Sequence, residues 1–326
     1  MKVDLLLDIT ASGGAEQAPA RLPALEKLIA RGDPFPLVAE SLPDRLLGLF
    51  GVPRDSAPIA ALTLLGDGID PGEDYWLRVD PVCLHATRTR LMCSPLPDGD
   101  LSDEEAQALV AILKPHIATS GHELLIGHPQ RWYLRCQSAP KLHTSPPLAA
   151  SGLLTEDRLP SGPDGPFWRR LMTEAQMLLH STPVNGAREA NGKLPVNGIW
   201  PWGGGCARAL ADSPYTHVLS DDPLALGLAR AARSTGLPLP QNLERELSGL
   251  AATAEILLII AGSAGARDPG RLDADWIAPL LASLAAGRLV ELRIVSIDRE
   301  RPLGRVLRRS HLRRFWRRTQ AFFRHA

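Results

Sequence analysis

The chain alternates between short apolar runs and amphipathic segments. Residues 2–9 are apolar apart from Lys2, Asp4 and Asp8 and predict a strand. Residues 22–30 have Pro23 in their first turn and Gly32 just beyond their end, which predicts a helix. The second half repeats this order, with helices predicted at 167–180, 223–234 and 276–285 and strands at 216–219, 255–261 and 289–297. This alternation predicts an α/β core with a mostly parallel sheet.

Residues 76–137 carry a different pattern. Strands are predicted at 76–82 and 85–93, and two shorter ones at 122–126 and 132–136. Between the pairs, Ser102 is followed three residues later by Glu105, a capping box that predicts the start of a helix. Two strands, a helix and two more strands are enough for a small α+β module inserted into the core.

A stretch rich in proline, serine and glycine follows this module, from 137 to 166, and predicts a connector. The expected domain organisation is therefore a first part of the core at 1–75, an inserted cap at 76–137 and a second part of the core at 138–326. Limited proteolysis is expected to cut within the connector.

Composition and charge exclude several classes of protein. The 326 residues have 44% hydrophobic and 22% charged side chains, which excludes a disordered chain. No apolar run approaches the roughly 20 residues of a membrane span, and the acidic residues near the N-terminus argue against a signal peptide. The four cysteines are isolated in sequence, which favours a reducing compartment, and we expect a cytoplasmic protein.

Charge is distributed unevenly along the chain. The total is 36 Lys+Arg against 36 Asp+Glu, yet residues 299–326 hold ten arginines and one acid, a local charge of +9 that leaves −9 on the remainder. Apolar residues between these arginines, such as Leu312, Phe315 and Phe322, fall largely at helical spacing. The simplest interpretation is an Arg-rich C-terminal helix that packs on the acidic remainder. The alternative is a contact with nucleic acid or a membrane surface. Of these partners, we do not expect nucleic acid.

The stretch STPVNGAREANGKLPVNGIWPWGGG, residues 181–205, holds the most informative polar residues. Asn185, Arg188 and Asn197 supply neutral and cationic donors suited to phosphate or carboxylate. The consecutive glycines would let the backbone approach a ligand closely. The alternative is a loop anchored by Trp200 and Trp202, in which the asparagines satisfy their own turns.

This stretch resembles a motif of the archaeal-type, cofactor-independent phosphoglycerate mutases, roughly H-P-V-N, then Arg and Gly, then A-N-x-I-W-x-W-G. MKVDLLLD at 1–8, PALEKLIARG at 23–32 and LTLLGDGID at 62–70 also resemble that family, as does the cap at 76–137. A bacterial family of shorter relatives, the RpfE-type regulatory proteins, looks more similar still, through Asp-Pro-Val at 80–82, Arg-Trp-Tyr at 131–133, Asp-Asp-Pro at 221–223 and Arg-Phe-Trp-Arg at 314–317.

The resemblance implies an alkaline-phosphatase-like core with two metal ions, which about seven Asp and His ligands would hold. These ions would activate a serine or threonine. Asp8 matches the first metal-binding aspartate, and Ser56 lies one residue before the nucleophile position, which Ala57 occupies. The stretch 262–275 keeps Asp268, Asp273 and Asp275 but has no histidine, and Asp298 is followed by an arginine where the family has a histidine. We therefore expect no metal cofactor. Mn or Zn remains the alternative if these ligands are misaligned.

These observations lead to one leading hypothesis and two alternatives. The leading hypothesis is a phosphoglycerate mutase-like protein that has lost its metal ligands and binds a small phosphorylated or carboxylate anion, as a non-catalytic or regulatory protein. The candidate ligand-binding residues are Asn185, Arg188 and Asn197, together with Arg131. The first alternative is an active metal-dependent phosphoglycerate mutase or phosphatase using Ser56, Asp8 and Asp298. The second is a scaffold that contacts a protein partner through the basic C-terminal segment.

Overall fold

The computed structural model describes residues 1–8, 21–86, 91–147, 152–154, 158–261, 269–297 and 302–319. Its strands are β1 (Lys2–Leu7), β2 (Asp33–Pro34), β3 (Tyr75–Ala86), β4 (Leu91–Pro95), β5 (Glu123–His128), β6 (Arg131–Cys136), β7 (Gly152–Leu154), β8 (Gly198–Cys206), β9 (His217–Leu219), β10 (Thr235–Leu237), β11 (Glu255–Ile260), β12 (Glu291–Ser296) and β13 (Leu303–Arg308). Its main helices are α1 (Pro23–Arg31), α2 (Leu42–Leu49), α3 (Ile59–Gly66), α4 (Asp103–Thr119), α5 (Gly165–Leu179), α6 (Pro183–Ala190), α7 (Pro223–Ala231), α8 (Leu243–Gly249) and α9 (Ala278–Ala285).

The chain folds as two compact units, one formed by Met1–Arg54 with Leu210–Ala326 and the other by Asp55–Ala209. In the described part of the first unit, seven strands form a sheet in the order β10-β9-β11-β1-β12-β13-β2. The first five are parallel, and β13 and β2 pair antiparallel at one edge. This is the mostly parallel α/β sheet that the alternating pattern predicts.

Burial in the first unit follows from the apolar strands. The last five of the six residues of β11 are buried. Strand β1 lies between β11 and β12, and its leucines are buried as well. Such continuous apolar strands are typical of a parallel sheet with helices on both sides. Among the described residues, α1, α8 and α9 contribute their apolar faces to this core, with Leu28, Leu247 and Leu284 fully or almost fully buried.

A separate, antiparallel sheet lies in the second unit. Its order is β5-β6-β3-β4-β7, and β8 pairs with β3 as well. The twelve-residue strand β3 pairs with β6 at its beginning and with β4 at its end, and it also pairs with β8 over residues 75–82. Helices α4 and α5 pack on this sheet through apolar residues such as Leu109, Leu113, Trp168 and Leu171.

The second unit is larger than the inserted module inferred from sequence. It contains 76–137, and it also contains α3 before that range and α5, α6 and β8 after it. The physical reason is that β8 returns to pair with β3, and α5 contributes Trp168 and Leu179 to the same core. Pairing between segments more than 100 residues apart leaves no local signal in the sequence.

The Arg-rich C-terminal segment is not a helix over its described part, residues 302–319, and this expectation was wrong. Residues 303–308 form β13 and residues 309–313 a short 3-10 turn. Backbone pairing with β12 fixes the extended conformation, and Leu307 points into the core at 0% exposure. Residues 320–326, with the remaining aromatic positions of the pattern, lie outside the described residues.

Within the described ranges, the structure contains no helix that is long and apolar enough to cross a membrane.

Candidate functional site

The residues implied in metal-dependent phosphoryl transfer are placed as follows. Asp8 directly follows β1, half-buried, and its backbone N–H donates to the carbonyl of Ile260 at 3.0 Å. Ser56 ends a 3-10 turn in the other compact unit and is exposed. Asp298 and Asp268 lie outside the described residues.

Asp273 has a structural role that its sequence position did not indicate. Its carboxylate accepts hydrogen bonds from the backbone N–H groups of Ala24, at 2.9 Å, and Leu25, at 2.7 Å. These donors belong to the first turn of α1, and the residue at the cap position, Leu22, makes no side-chain cap. Asp273 therefore caps a helix in the way that a local Asp or Ser ordinarily does, and its negative charge favours the N-terminus of α1.

The described residues do not fit a two-metal centre. No group of three or more His, Cys, Asp or Glu side chains among them is placed to hold a metal ion. Both carboxylate oxygens of Asp273 accept hydrogen bonds from backbone N–H groups of α1. Asp275 forms an ion pair with Arg271 at 3.5 Å. The aspartates of 272–275 are thus engaged by the protein itself.

Arg188, the cationic candidate for anion binding, is fully buried in α6. Its guanidinium forms ion pairs with Asp100 and with Glu105, the latter at 2.9 Å. It also donates to the carbonyls of Leu194 at 2.8 Å and of Asp100 at 3.1 Å. The surrounding protein already occupies the donors that would have to reach an anion.

The two asparagines are engaged in a similar way. The amide of Asn185 donates to the carbonyls of Leu179 and Val196 and accepts from the N–H of Val196, at 2.8 to 2.9 Å. Asn197 pairs with both backbone groups of Leu84 on β3, at 2.6 and 2.9 Å. This geometry favours the alternative in which Asn185, Arg188 and Asn197 brace the fold. Anion binding by them stays a prediction that would require exchange of these partners.

A different set of polar residues converges on one face of the antiparallel sheet. Four short stretches that carry the sequence resemblance, 62–70, 80–82, 131–133 and 183–205, each contribute to it. We call it the arginine–aspartate cluster, and its members are Asp67, Arg78, Asp80, Arg131, Tyr133 and Trp202.

Secondary structure brings the cluster together. Arg78 and Asp80 are two residues apart on β3, so their side chains lie on the same face of the strand. Tyr133 on β6 is the register partner of Arg78. Trp202 comes from β8, and Asp67 directly follows the last residue of α3. A side chain at Gly127 would clash with Asp67 and Tyr133, so that glycine leaves room for this contact.

Two ion pairs, one buried and one partly buried, form the cluster. Arg78 makes three hydrogen bonds of 2.7 to 2.9 Å to Asp80, which also accepts from the indole N–H of Trp202 at 2.7 Å. The Arg78 guanidinium also lies 4.9 Å from the centroid of the Trp202 ring, within the range of a cation–π contact. Arg131 makes the second pair, donating Nη2 and Nε to Asp67 at 2.6 and 3.2 Å, and the Tyr133 hydroxyl donates to Asp67 at 2.7 Å.

Burial governs the electrostatics of the cluster. It raises the pKa of the Asp80 carboxyl against the opposing effect of Arg78, and it raises the pKa of the Tyr133 phenol, which therefore stays a donor to Asp67. Burial, reinforced by the positive charge of Arg131, lowers the pKa of His128, so this imidazole is neutral at neutral pH. Burial also acts to lower the pKa of Arg131, but the hydrogen bond and charge of Asp67 outweigh it and the pKa is raised.

Arg131 is the member of the cluster with the most accessible cationic group. Its side chain is 22% exposed, against 10% for Arg78. Asp67 engages Nε and Nη2, whereas Nη1 makes no hydrogen bond to any residue that the structure describes. Arg131 was a candidate from the sequence. The roles of Arg78, Asp80 and Asp67 were missed, although a charged pair two residues apart on an otherwise apolar strand is a signal of a polar face.

Comparison with known proteins places this geometry in context. No protein-family model matches the chain. The chain is 27% identical over 206 residues to a 2,3-bisphosphoglycerate-independent phosphoglycerate mutase of Methanosarcina mazei. The aligned region covers 58% of this chain and 49% of that mutase. It is also 27% identical over 157 residues to a probable mutase of the same kind from Geobacter sulfurreducens, covering 48% of this chain and 39% of that one. The matches thus span half or less of these relatives' length.

The fold has a counterpart among solved structures. A protein of Pyrococcus horikoshii superimposes with a TM-score of 0.53 at 17% identity, over 94% of this chain and 87% of that one. The mostly parallel sheet with a separate antiparallel sheet agrees with the expected alkaline-phosphatase-like architecture. None of these matches tests the closer similarity to RpfE-type regulatory proteins, which stays a prediction. Over part of its length, the chain is thus similar in sequence to the cofactor-independent phosphoglycerate mutases.

Proposed function

We propose that this phosphoglycerate mutase-like protein works by binding a small phosphorylated or carboxylate anion at Arg131, as a regulatory protein and not as a metal-dependent mutase. The observation that carries the proposal is the state of the Arg131 guanidinium. Asp67 fixes one edge of the guanidinium, and the remaining nitrogen, Nη1, donates no hydrogen bond to a residue that the structure describes.

The surroundings of Arg131 support this role. Because Asp67 holds Nε and Nη2, the plane of the guanidinium is set before a ligand arrives, which lowers the entropic cost of binding. A charge-assisted hydrogen bond from Nη1 to a phosphate or carboxylate oxygen contributes about 1.5–3 kcal/mol. Since Asp67 and Asp80 balance the charges of Arg131 and Arg78, the site is nearly neutral, and a dissociation constant of about 1 mM is the expected order.

The non-catalytic part of the proposal is supported by the aspartates near α9. Asp273 caps α1 and Asp275 pairs with Arg271, so neither presents a free pair of oxygens to a cation. A mutase that transfers phosphate through a serine would need such ligands on both metals. The competing function, an active mutase or phosphatase, is supported by the names of the relatives. The experiment below distinguishes it from the proposed non-catalytic function.

The test measures binding of 3-phosphoglycerate and of inorganic phosphate by isothermal titration calorimetry. Arg131→Gln is expected to weaken binding at least ten-fold, since it removes the donor. Arg135→Gln is the control, an arginine on the same strand that already pairs with Asp74 and Glu123.

Three results would contradict the proposal. One is no binding of either anion by the unaltered protein at millimolar concentration. Another is equal loss of binding in Arg131→Gln and Arg135→Gln, which would place the site elsewhere. The third is conversion of 3-phosphoglycerate to 2-phosphoglycerate in added manganese or zinc, abolished by a chelator, which would establish the catalytic alternative and require ligands from outside the described residues.

A further inference from the structure

The turn that follows β13 exposes two adjacent aromatic side chains. Phe315 is 81% and Trp316 is 66% exposed, and their rings pack edge to face with centroids 5.3 Å apart. The other large exposed hydrophobic side chains of the described residues are aliphatic. Two adjacent exposed rings form an apolar patch, and apolar patches on a protein surface are where contacts with partners are expected.

Arginines on either side of the pair hold this turn in place. Arg314 donates from both terminal nitrogens to the carboxylate of Asp33, and Arg317 donates to the carbonyl of Gly32 at 3.1 Å. His311 lies 3.6 Å from the same carboxylate. The backbone is therefore anchored at 311, 314 and 317, and residues 315 and 316 are held pointing outward between the anchors.

Other arginines of the segment are left uncompensated. Arg309, Arg313 and Arg318 are exposed and form no ion pair with a residue that the structure describes. By contrast, Arg308 pairs with Glu291 at 2.8 Å. The exposed aromatic pair is thus accompanied along the turn by three positive charges that have no ion-pair partner among the described residues.

The geometry points to a peripheral contact of this turn with an anionic phospholipid surface. Aromatic rings partition into the headgroup region of a bilayer, and an arginine near an anionic surface adds about 1 kcal/mol. The −9 charge on residues outside 299–326 would be repelled by the same surface, which orients the segment toward it.

Two features favour a bilayer over the other anionic partners. The rings pack edge to face against each other, so they offer no parallel platform on which successive bases would stack. At 81% exposure Phe315 protrudes from the surface, whereas a peptide is recognised in a groove or along a sheet edge. A bilayer accepts a protruding side chain without a complementary pocket.

The experiment is flotation of the full chain with vesicles of mixed phosphatidylcholine and phosphatidylglycerol, against vesicles of phosphatidylcholine alone. We expect binding to the mixed vesicles only, weakened by salt. Phe315→Ala and Trp316→Ala should each lower the partition coefficient about ten-fold. Arg313→Gln and Arg318→Gln should each lower it about five-fold. Met177→Ala and Arg208→Gln, exposed residues of the other compact unit, are the controls and should have no effect.

Several outcomes would overturn the inference. They are no flotation of the unaltered protein, flotation that Phe315→Ala and Trp316→Ala leave intact, and equal loss in the two controls. Binding of a single-stranded oligonucleotide or of polyglutamate that these two variants abolish, without vesicle binding, would assign the turn to those partners instead. Should a variant misfold, quenching of Trp316 fluorescence by brominated lipid in the unaltered protein, compared with Trp316→Phe, decides the question.

Discussion

Arg188→Ala is expected to lower the free energy of unfolding by about 3–5 kcal/mol and to leave anion binding unchanged. The side chain has no solvent exposure, and its removal would leave the carboxylates of Asp100 and Glu105, themselves only 17% and 24% exposed, without their cation. The carbonyls of Leu194 and Asp100 would lose a donor as well. Chemical denaturation and calorimetry with 3-phosphoglycerate measure the two quantities separately.

Lys193→Ala is the matched control for this prediction. Lys193 also approaches Asp100, at 3.9 Å, but is 44% exposed, so its loss should cost less than about 1 kcal/mol. The opposite pattern, in which Arg188→Ala keeps its stability and loses phosphate binding, would restore Arg188 as a ligand-binding residue and count against the site at Arg131.

Local patterns in the sequence predicted the elements that local interactions form. The capping box at Ser102 is confirmed, with Ser102 and Glu105 exchanging side-chain and backbone hydrogen bonds of 2.9 and 3.2 Å. The buried strand β11 and the helix after Pro23 were also predicted close to their observed bounds. In each case neighbours within four residues, or an uninterrupted apolar run, determine the conformation.

The candidate site was only partly predictable, because its partners are distant in sequence. Arg131 was identified, but its pairing with Asp67 joins residues 64 positions apart, and Trp202 reaches Asp80 across 122 positions. Arg188 lies in helix α6, which Thr182 caps and Pro183 begins, whereas one interpretation of the 181–205 stretch was a loop. Residue type alone does not tell whether a buried arginine meets a ligand or a protein carboxylate, since both satisfy the same donors.

The basic C-terminal segment shows the same limit. Val306 and Leu307 fit a helical spacing with later apolar residues, yet in β13 they point to opposite faces, and Leu307 is the one in the core. A period of two and a period of 3.6 are hard to separate over six residues. Pairing with β12 determines that this segment is a strand and not a helix. In sequence, β12 is separated from β13 by residues 298–301, which lie outside the described residues.

Replacement of Asp273 tests the structural role of the aspartates near α9. Asp273→Ala is expected to lower the free energy of unfolding by about 3 kcal/mol, because two backbone N–H groups of α1 lose a charged acceptor and each such bond contributes about 1.5–3 kcal/mol. Water can reach only part of the gap, since Leu25 is 1% exposed and Asp273 is 6% exposed. Asp275→Ala is the control and should cost less than about 1 kcal/mol, as its ion pair with Arg271 is exposed.

The same pair of variants separates a cap from a metal ligand. If Asp273 only caps α1, manganese or zinc should leave the melting temperature of the unaltered protein and of Asp273→Ala unchanged, and the deficit of the variant should be the same with and without the ion. If Asp273 held a cation, the ion would stabilise the unaltered protein by mass action and not the variant. A metal-dependent difference of this kind would overturn the proposed non-catalytic function. It would mean that Asp273 binds a cation instead of capping α1, and so is available for the mutase chemistry that the relatives' names describe.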